Sequence, residues 1–299
     1  MFKKIVVLEP IAFVDEMLKH EIKELCNELV VFDTEAAGDE EKINRIADAD
    51  CVMVSYKTEM GKNVIDHAKN LKFVCMCCSY YGAEFSKVDT NYITEKGIKF
   101  SALEGHGDNG VVEFTVAKTI SLLQGFDEAK LKRAPSDLTG MKLGILGLGS
   151  IGLKIAKAFN AMNTEVYYYS RTRKPEHENN LLKYLPLEEL LKTVDVLSIN
   201  LNRDVCLIGG ENLKIFGTGK AIINTSIGKC YEIDSLKEWL KNKNNYYIFD
   251  KSSLNDELQE ILNFKNALYT DHIVGDTKEC VARARMQILS NLKNFKEQI

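Results

Sequence analysis

The chain has 299 residues, 45% hydrophobic and 27% charged, the balance of a soluble globular protein with room for two domains, each with its own core. A formal net charge of −4 leaves no basic excess to neutralise phosphates. That argues against a general nucleic-acid binder and against binding to an anionic membrane.

The first apolar run stops at Glu9-Pro10. It is too short for a signal core or a membrane span, so it reads as the buried first strand of a cytoplasmic protein. Strands are predicted at residues 4–8, 29–32, 51–55, 73–78 and 98–101, with helices near 14–27, 39–48, 62–70 and 88–96 between them. Uninterrupted apolar strands alternating with amphipathic helices make a parallel sheet wrapped by helices. The fourth strand carries Cys75, Cys77 and Cys78, three of eight cysteines. Successive strand residues face opposite ways and no Cys-x-x-Cys or His pair completes a ligand set, so core packing is expected and a metal site is not.

A helical stretch near 111–123 opens a second α/β series. Its strands are predicted at 142–146, 165–169, 194–199, 221–225, 246–249 and 267–269. Asp234-Ser235 reads as a capped helix start, and residues 276–297 form a closing amphipathic helix.

Between the first strand of this series and the next helix lies Gly147-Leu148-Gly149-Ser150-Ile151-Gly152. A glycine pattern alone is weak, but strand before and helix after supply the context of a dinucleotide-binding Rossmann loop. Gly147 permits the tight turn, Gly149 lets a pyrophosphate approach the backbone, and Gly152 lets helix and strand pack closely. Ser150 and Ile151 open the helix, whose free N–H groups and dipole favour phosphate.

The end of the following strand discriminates between NAD and NADP. Sites for NAD place an acid there to hold the ribose hydroxyls. This chain has Ser170 at that place, followed by Arg171 and Arg173. A hydroxyl and two guanidinium groups attract a 2′-phosphate that a carboxylate would repel, so NADP is predicted, with NAD as the alternative.

With these residues in view, the chain resembles the D-isomer-specific 2-hydroxyacid dehydrogenases, the group that includes glyoxylate/hydroxypyruvate reductases and phosphoglycerate dehydrogenase. The likeness runs through Leu138-Thr139-Gly140 and the whole glycine loop, Val88-Asp89, Gly97-Ile98, Val112-Glu113-Phe114, Ala221 to Thr225, and Asp271-His272-Ile273-Val274-Gly275. It implies two doubly wound parallel-sheet α/β domains, with the nucleotide domain (102–273) inserted into a flavodoxin-like catalytic domain (1–101 plus 274–299) and the active site in the cleft. It also implies His272 as the proton-transferring histidine, Asp250 as the contact to the nicotinamide amide, Thr225 in the cofactor site, and Tyr80, Tyr81 and Gly82 in the substrate loop.

The resemblance breaks at the chemistry. The family's clamping Arg is replaced by Ile227 in Asn224-Thr225-Ser226-Ile227-Gly228, and Lys229 is poorly directed to replace it. Losing a bidentate charged contact costs roughly 3–5 kcal/mol, at about 1.5–3 per charged hydrogen bond. The Glu that tunes the histidine is displaced as well: Asn255 falls nearest its place, with Asp256, Glu257 and Asp271 as alternatives. Glu84 occupies the second glycine of the substrate loop, where a carboxylate repels an anion, and Tyr80, Tyr81 and Phe85 suit an aromatic pocket. The segment from Gly125-Phe126 to Thr139-Gly140 is short and lacks the Trp of the family's dimer arm, which puts a homodimer of family type in doubt. Two functions therefore stand: a reductase of altered or reduced activity acting on a small CH–OH/C=O substrate, and a catalytically silent NADP(H)-binding sensor or partner-binding protein.

Overall fold

The computed structural model describes residues 1–126, 129–131 and 134–296 and divides into two compact units. Met1–His106 and the residues from Lys278 onward form the first; Gly107–Thr277 form the second.

The first unit is built on β1 (Phe2–Val7), β2 (Cys26–Val31), β3 (Cys51–Val54), β4 (Phe73–Ser79) and β5 (Lys99–Leu103), all parallel in the order β2-β1-β3-β4-β5. The sheet is buried on both faces. Ile5, Val7, Cys51, Cys75 and Cys77 pack on one face with Leu18, Ile22 and Ile288, and Val6, Val52, Met76 and Cys78 pack on the other with Ile46 and Val64. This two-sided burial is why its strands read as continuous apolar runs. Cys51, Cys75 and Cys77 lie on one face and Cys78 on the other, none of them in a disulfide. The first helix, capped by Asp15, ends at Lys23, and β2 begins at Cys26 within the stretch expected to be helical. Pairing of Phe2 with Cys26 draws that segment into the sheet.

The second unit holds β6 (Lys142–Leu146), β7 (Glu165–Tyr169), β8 (Leu182–Tyr184), β9 (Val196–Ile199), β10 (Ala221–Asn224), β11 (Tyr246–Asp250) and β12 (Ala267–Thr270). Every pairing is parallel, in the order β12-β11-β10-β9-β6-β7-β8, a doubly wound sheet that reverses direction between β6 and β9. The sequence pattern misses β8, an edge strand of three residues. The helix expected to start at Asp234-Ser235 is Ile233–Leu240, with Glu232 at its N-cap; the Glu232 carboxylate accepts from Gly210 N and Ser235 Oγ. The closing helix is Lys278–Lys296, and residue 297 of the expected span lies outside the described residues. Among the described residues, no helix is long and apolar enough to cross a membrane.

Candidate cofactor and catalytic site

The chain leaves β6 through Gly147, whose N–H donates to Tyr169 O (2.8 Å) and whose φ of +95° suits glycine alone. A Cβ at Gly147 would fall 2.3 Å from Asn200 O, and one at Gly152 would fall 2.2 Å from Gly147 O. At Gly149 it would meet no protein atom within 4 Å. Two glycines are thus required by the protein's own packing, and the third leaves an open approach at the head of helix Ser150–Ala161. No side chain caps that helix, so its first N–H groups keep the capacity to bind an anion. This cradle fits the pyrophosphate of a dinucleotide.

Ile151 packs onto the core beneath the loop. Ser150 Oγ donates to Asp108 Oδ2 (2.6 Å), and Lys154 Nζ lies 2.9 Å from the same oxygen. The buried Asp108 pins the first turns of the nucleotide helix to helix Asp108–Gln124. Sequence reasoning passed over Asp108, because its partners lie 42 and 46 residues away and no local motif marks it.

At the end of β7, Ser170 Oγ donates to Thr172 O (2.6 Å). Arg173 makes a two-pronged bond to Glu178, Nε to Oε1 at 2.8 Å and Nη2 to Oε2 at 2.7 Å. Arg173 is the main reason the Glu178 carboxyl is held down to about 2. Arg171 is exposed and has no ion pair among the described residues. The two guanidinium groups singled out in the sequence therefore differ: one faces solvent unpaired and the other is held within the loop.

Asn224, at the end of β10, accepts from Ser226 N and donates Nδ2–H to Tyr247 Oη (3.1 Å), which bonds in turn to Tyr231 Oη. Burial pushes both phenols up, so they remain neutral donors and acceptors. Thr225 O accepts from Ser252 Oγ at 3.3 Å. Beyond it, Ile227 is 44% exposed. Gly228 (φ +85°) sits against Asp204, whose Oδ1 accepts from Lys229 N, while Lys229 Nζ lies 3.5 Å from Glu257 Oε2. Lys229 and Glu257 are thus paired with each other.

Asp250 is 1% exposed and joins two strand ends. Its Oδ2 accepts from Val274 N (2.9 Å) and its Oδ1 from Ser252 Oγ (2.5 Å) and, more weakly, from Ser253 Oγ (3.4 Å). It thereby anchors the segment that carries His272, whose carbonyl accepts from Lys251 N (3.3 Å). The His272 ring is exposed, and among the described residues no carboxylate bonds to it. Asn255 instead caps the turn of residues Asp256–Asn263 through Leu258 N. Asp271 takes Tyr269 Oη (3.0 Å) and Lys251 Nζ (3.3 Å), and those two groups hold its carboxyl below the usual range.

In the first unit, Tyr80 is half-buried, edge-on to Phe100 at 5.3 Å and bonded to Thr90 Oγ1 at 3.0 Å. Tyr81 is 58% exposed. A Cβ at Gly82 (φ +120°) would fall 2.5 Å from Glu84 Oε2, so that carboxylate lies over the glycine. Beside it is a depression of about 730 Å³ lined by Glu59, Glu84, Ser86, Lys87, Asp89 and Asn91. Among the described residues no three His, Cys, Asp or Glu side chains converge as a metal-binding group.

Residues 118–274 match the family model for the D-isomer specific 2-hydroxyacid dehydrogenase NAD binding domain. Among curated proteins, the hydroxypyruvate reductase of Blautia hydrogenotrophica is 27% identical over 316 aligned positions, covering 98% of this chain and 96% of that one. Among solved structures, an acyclic imino acid reductase in complex with NADPH and D-Arg superposes with a TM-score of 0.81 at 19% identity, over 99% of this chain and 97% of that one. D-Lactate dehydrogenase from Aquifex aeolicus, complexed with NAD and lactic acid, gives 0.77 at 20% identity, over 99% and 96%. At those identities the two structures show a shared fold. The family match covers more than half of the chain and the cofactor cradle is in place, and so this chain belongs to the D-isomer-specific 2-hydroxyacid dehydrogenase family, a family of nicotinamide-dependent oxidoreductases.

Proposed function

We propose that the chain is an NADP(H)-dependent reductase of a small carbonyl compound, with His272 as proton donor and with specificity moved away from simple 2-oxoacid anions. The observation that carries this reading is the loop Gly147–Gly152, in which Gly149 alone keeps an open face at an uncapped helix start. The cofactor, when bound, supplies the hydride. Gly149 N–H and the first N–H groups of the helix hold the pyrophosphate, and Arg171 beside Ser170 meets the 2′-phosphate. Thr225 lines the cofactor site. Asp250 fixes the backbone at Val274, which limits the freedom of His272 two residues earlier. The imidazolium then gives its proton to the substrate oxygen as negative charge develops there. Ile227 offers that oxygen no charge, which matches a specificity moved away from simple 2-oxoacid anions.

In this reading the substrate domain comprises residues 1–101 and 274–299, and Tyr80, Tyr81 and Gly82 belong to its substrate loop. The cytoplasm is the proposed location. The short segment from Gly125 to Thr139, of which residues 127–128 and 132–133 lie outside the described residues, argues against the family's dimer arm. A panel of carbonyl substrates followed by NADPH absorbance, with wild type and His272→Ala, tests the function. Turnover that requires His272 supports it, and turnover indifferent to His272 sinks it.

A second reading, a silent NADP(H)-binding sensor, draws on the exposed Ile227 and on a His272 to which no carboxylate bonds among the described residues. It predicts calorimetric NADPH binding with no turnover across the same panel.

A further inference from the structure

Glu9 lies two residues beyond the end of β1 and is fully buried; Ser55, which follows the neighbouring β3, is 8% exposed. Glu9 Oε1 accepts from Ser55 N at 2.7 Å and from Ser55 Oγ at 2.8 Å. The other oxygen, Oε2, is buried with no hydrogen-bond partner among the described residues. No Lys, Arg or His pairs with this carboxylate among the described residues; the nearby Lys57 is bonded to Glu35. The neighbouring Cys78 thiol is pushed up to about 11, first by burial and then by the Glu9 charge, so it stays neutral.

A buried carboxylate oxygen without a donor is costly, and native structures seldom keep one that nothing satisfies. Its position is informative. In a sheet ordered β2-β1-β3-β4-β5 the chain reverses direction between β1 and β3, and ligands of such sheets bind at the carboxyl ends of the strands at that point. Glu9 and Ser55 stand at those two strand ends. The substrate loop that follows β4 carries another carboxylate, Glu84, over Gly82.

We propose that Glu9 Oε2 is a recognition point for a cationic nitrogen, an ammonium or guanidinium, on the substrate, making the substrate a zwitterion rather than a simple oxoacid anion. The proposal rests on the reductase reading and narrows its substrate class. Ser55 orients Glu9 and occupies Oε1, and Oε2 is left for the substrate's N–H.

The test is calorimetry on the full chain saturated with NADPH, using two ligands of equal size that the reduced cofactor cannot convert: (R)-6-amino-2-hydroxyhexanoate and (R)-2-hydroxyheptanoate. Wild type is expected to prefer the amino compound by on the order of 10- to 100-fold, the range of a charge-assisted hydrogen bond. Glu9→Gln keeps an acceptor for Ser55 and removes the charge, and is expected to bring the two affinities together. Equal affinities in wild type, binding of neither compound, or a preference that survives in folded Glu9→Gln would overturn the proposal, the first two including the case of a buried water as sole occupant. The wild-type comparison decides even if the variant fails to fold. NADPH titrated alone separates the failures: no NADPH binding removes the reductase reading and this proposal together, whereas NADPH binding without discrimination removes only this proposal.

Discussion

Adding one methyl group to each glycine of the loop in turn separates what the fold needs from what the cofactor needs. At Gly152 the new Cβ would meet Gly147 O at 2.2 Å and Ile145 Cγ2 at 3.0 Å, the first about 1 Å inside ordinary contact. Backbone stands in the way, and overpacking of this kind costs about 1–3 kcal/mol. For a unit of this size that lowers Tm by about 3–10 °C. Gly147→Ala adds to its 2.3 Å contact with Asn200 O a φ of +95°, so it is expected to be at least as damaging. Gly149 is different: its φ of −82° and ψ of −161° are open to alanine, and the methyl meets nothing. Losing a glycine N-cap costs under about 1 kcal/mol, a fall of no more than about 3 °C. The same methyl stands where the pyrophosphate must approach, and about 1–3 kcal/mol there means roughly 5- to 150-fold weaker NADPH binding. Thermal melts of the three variants and calorimetry with NADPH check this. A Gly149→Ala protein that binds NADPH like wild type, or a Gly152→Ala protein that melts like wild type, would refute the reasoning.

Arg171→Ala should weaken NADPH binding by on the order of 10- to 100-fold and leave NADH nearly unchanged, by calorimetry with both cofactors, whereas Arg173→Ala should do less, since that guanidinium is already bonded to Glu178. Glu178 is held at about 2, below its unfolded value, so its contribution to stability is present above the unfolded pKa and is lost as pH falls through about 2. An NMR titration should show that midpoint move upward in Arg173→Ala. Alkylation of the native protein at pH 8 followed by mass spectrometry should label Cys206, the one exposed cysteine, and spare Cys78, held at about 11, and the deeply buried Cys51 and Cys77. Ile227→Arg should raise kcat/KM for a 2-oxoacid anion such as glyoxylate by a hundredfold or more, and no gain would mean that the missing guanidinium is not what limits such substrates.

Much of the fold was legible because its signals are local. Strands buried on both faces read as apolar runs, and the glycine loop announces itself between a strand and a helix. What was missed lies in contacts that sequence separation hides. Asp108 holds Ser150 and Lys154 across 42 and 46 residues. The bonds of Glu9 to Ser55 likewise span 46 residues, whereas the pairing of Arg173 with Glu178 is local, five residues apart, and ties up one of two equivalent-looking exposed arginines. Strand β8 and the Glu232 cap were lost for another reason: three residues are too few for a period, and Asp234-Ser235 offered a better cap by composition than the one the chain uses.

The same distinction separates the cofactor cradle from the residues proposed for catalysis. Gly147 and Gly152 are held by backbone atoms 2.2–2.3 Å from where a Cβ would lie, so a substitution there is charged first to stability. Asp250 is equally bound to the fold, with both carboxylate oxygens bonded and 1% of its surface exposed. Ile227 and His272 are instead exposed side chains on loops after strand ends, and Asn255 serves only its own turn. Changing an exposed loop residue costs the fold within about 0.5 kcal/mol. Little in the packing therefore opposes substitution at Ile227 or His272, whereas Asn255 is tied to its turn by the bond from Leu258 N. On the reading proposed above, change at such exposed loop positions is how a chain alters its substrate while its cofactor cradle stays fixed.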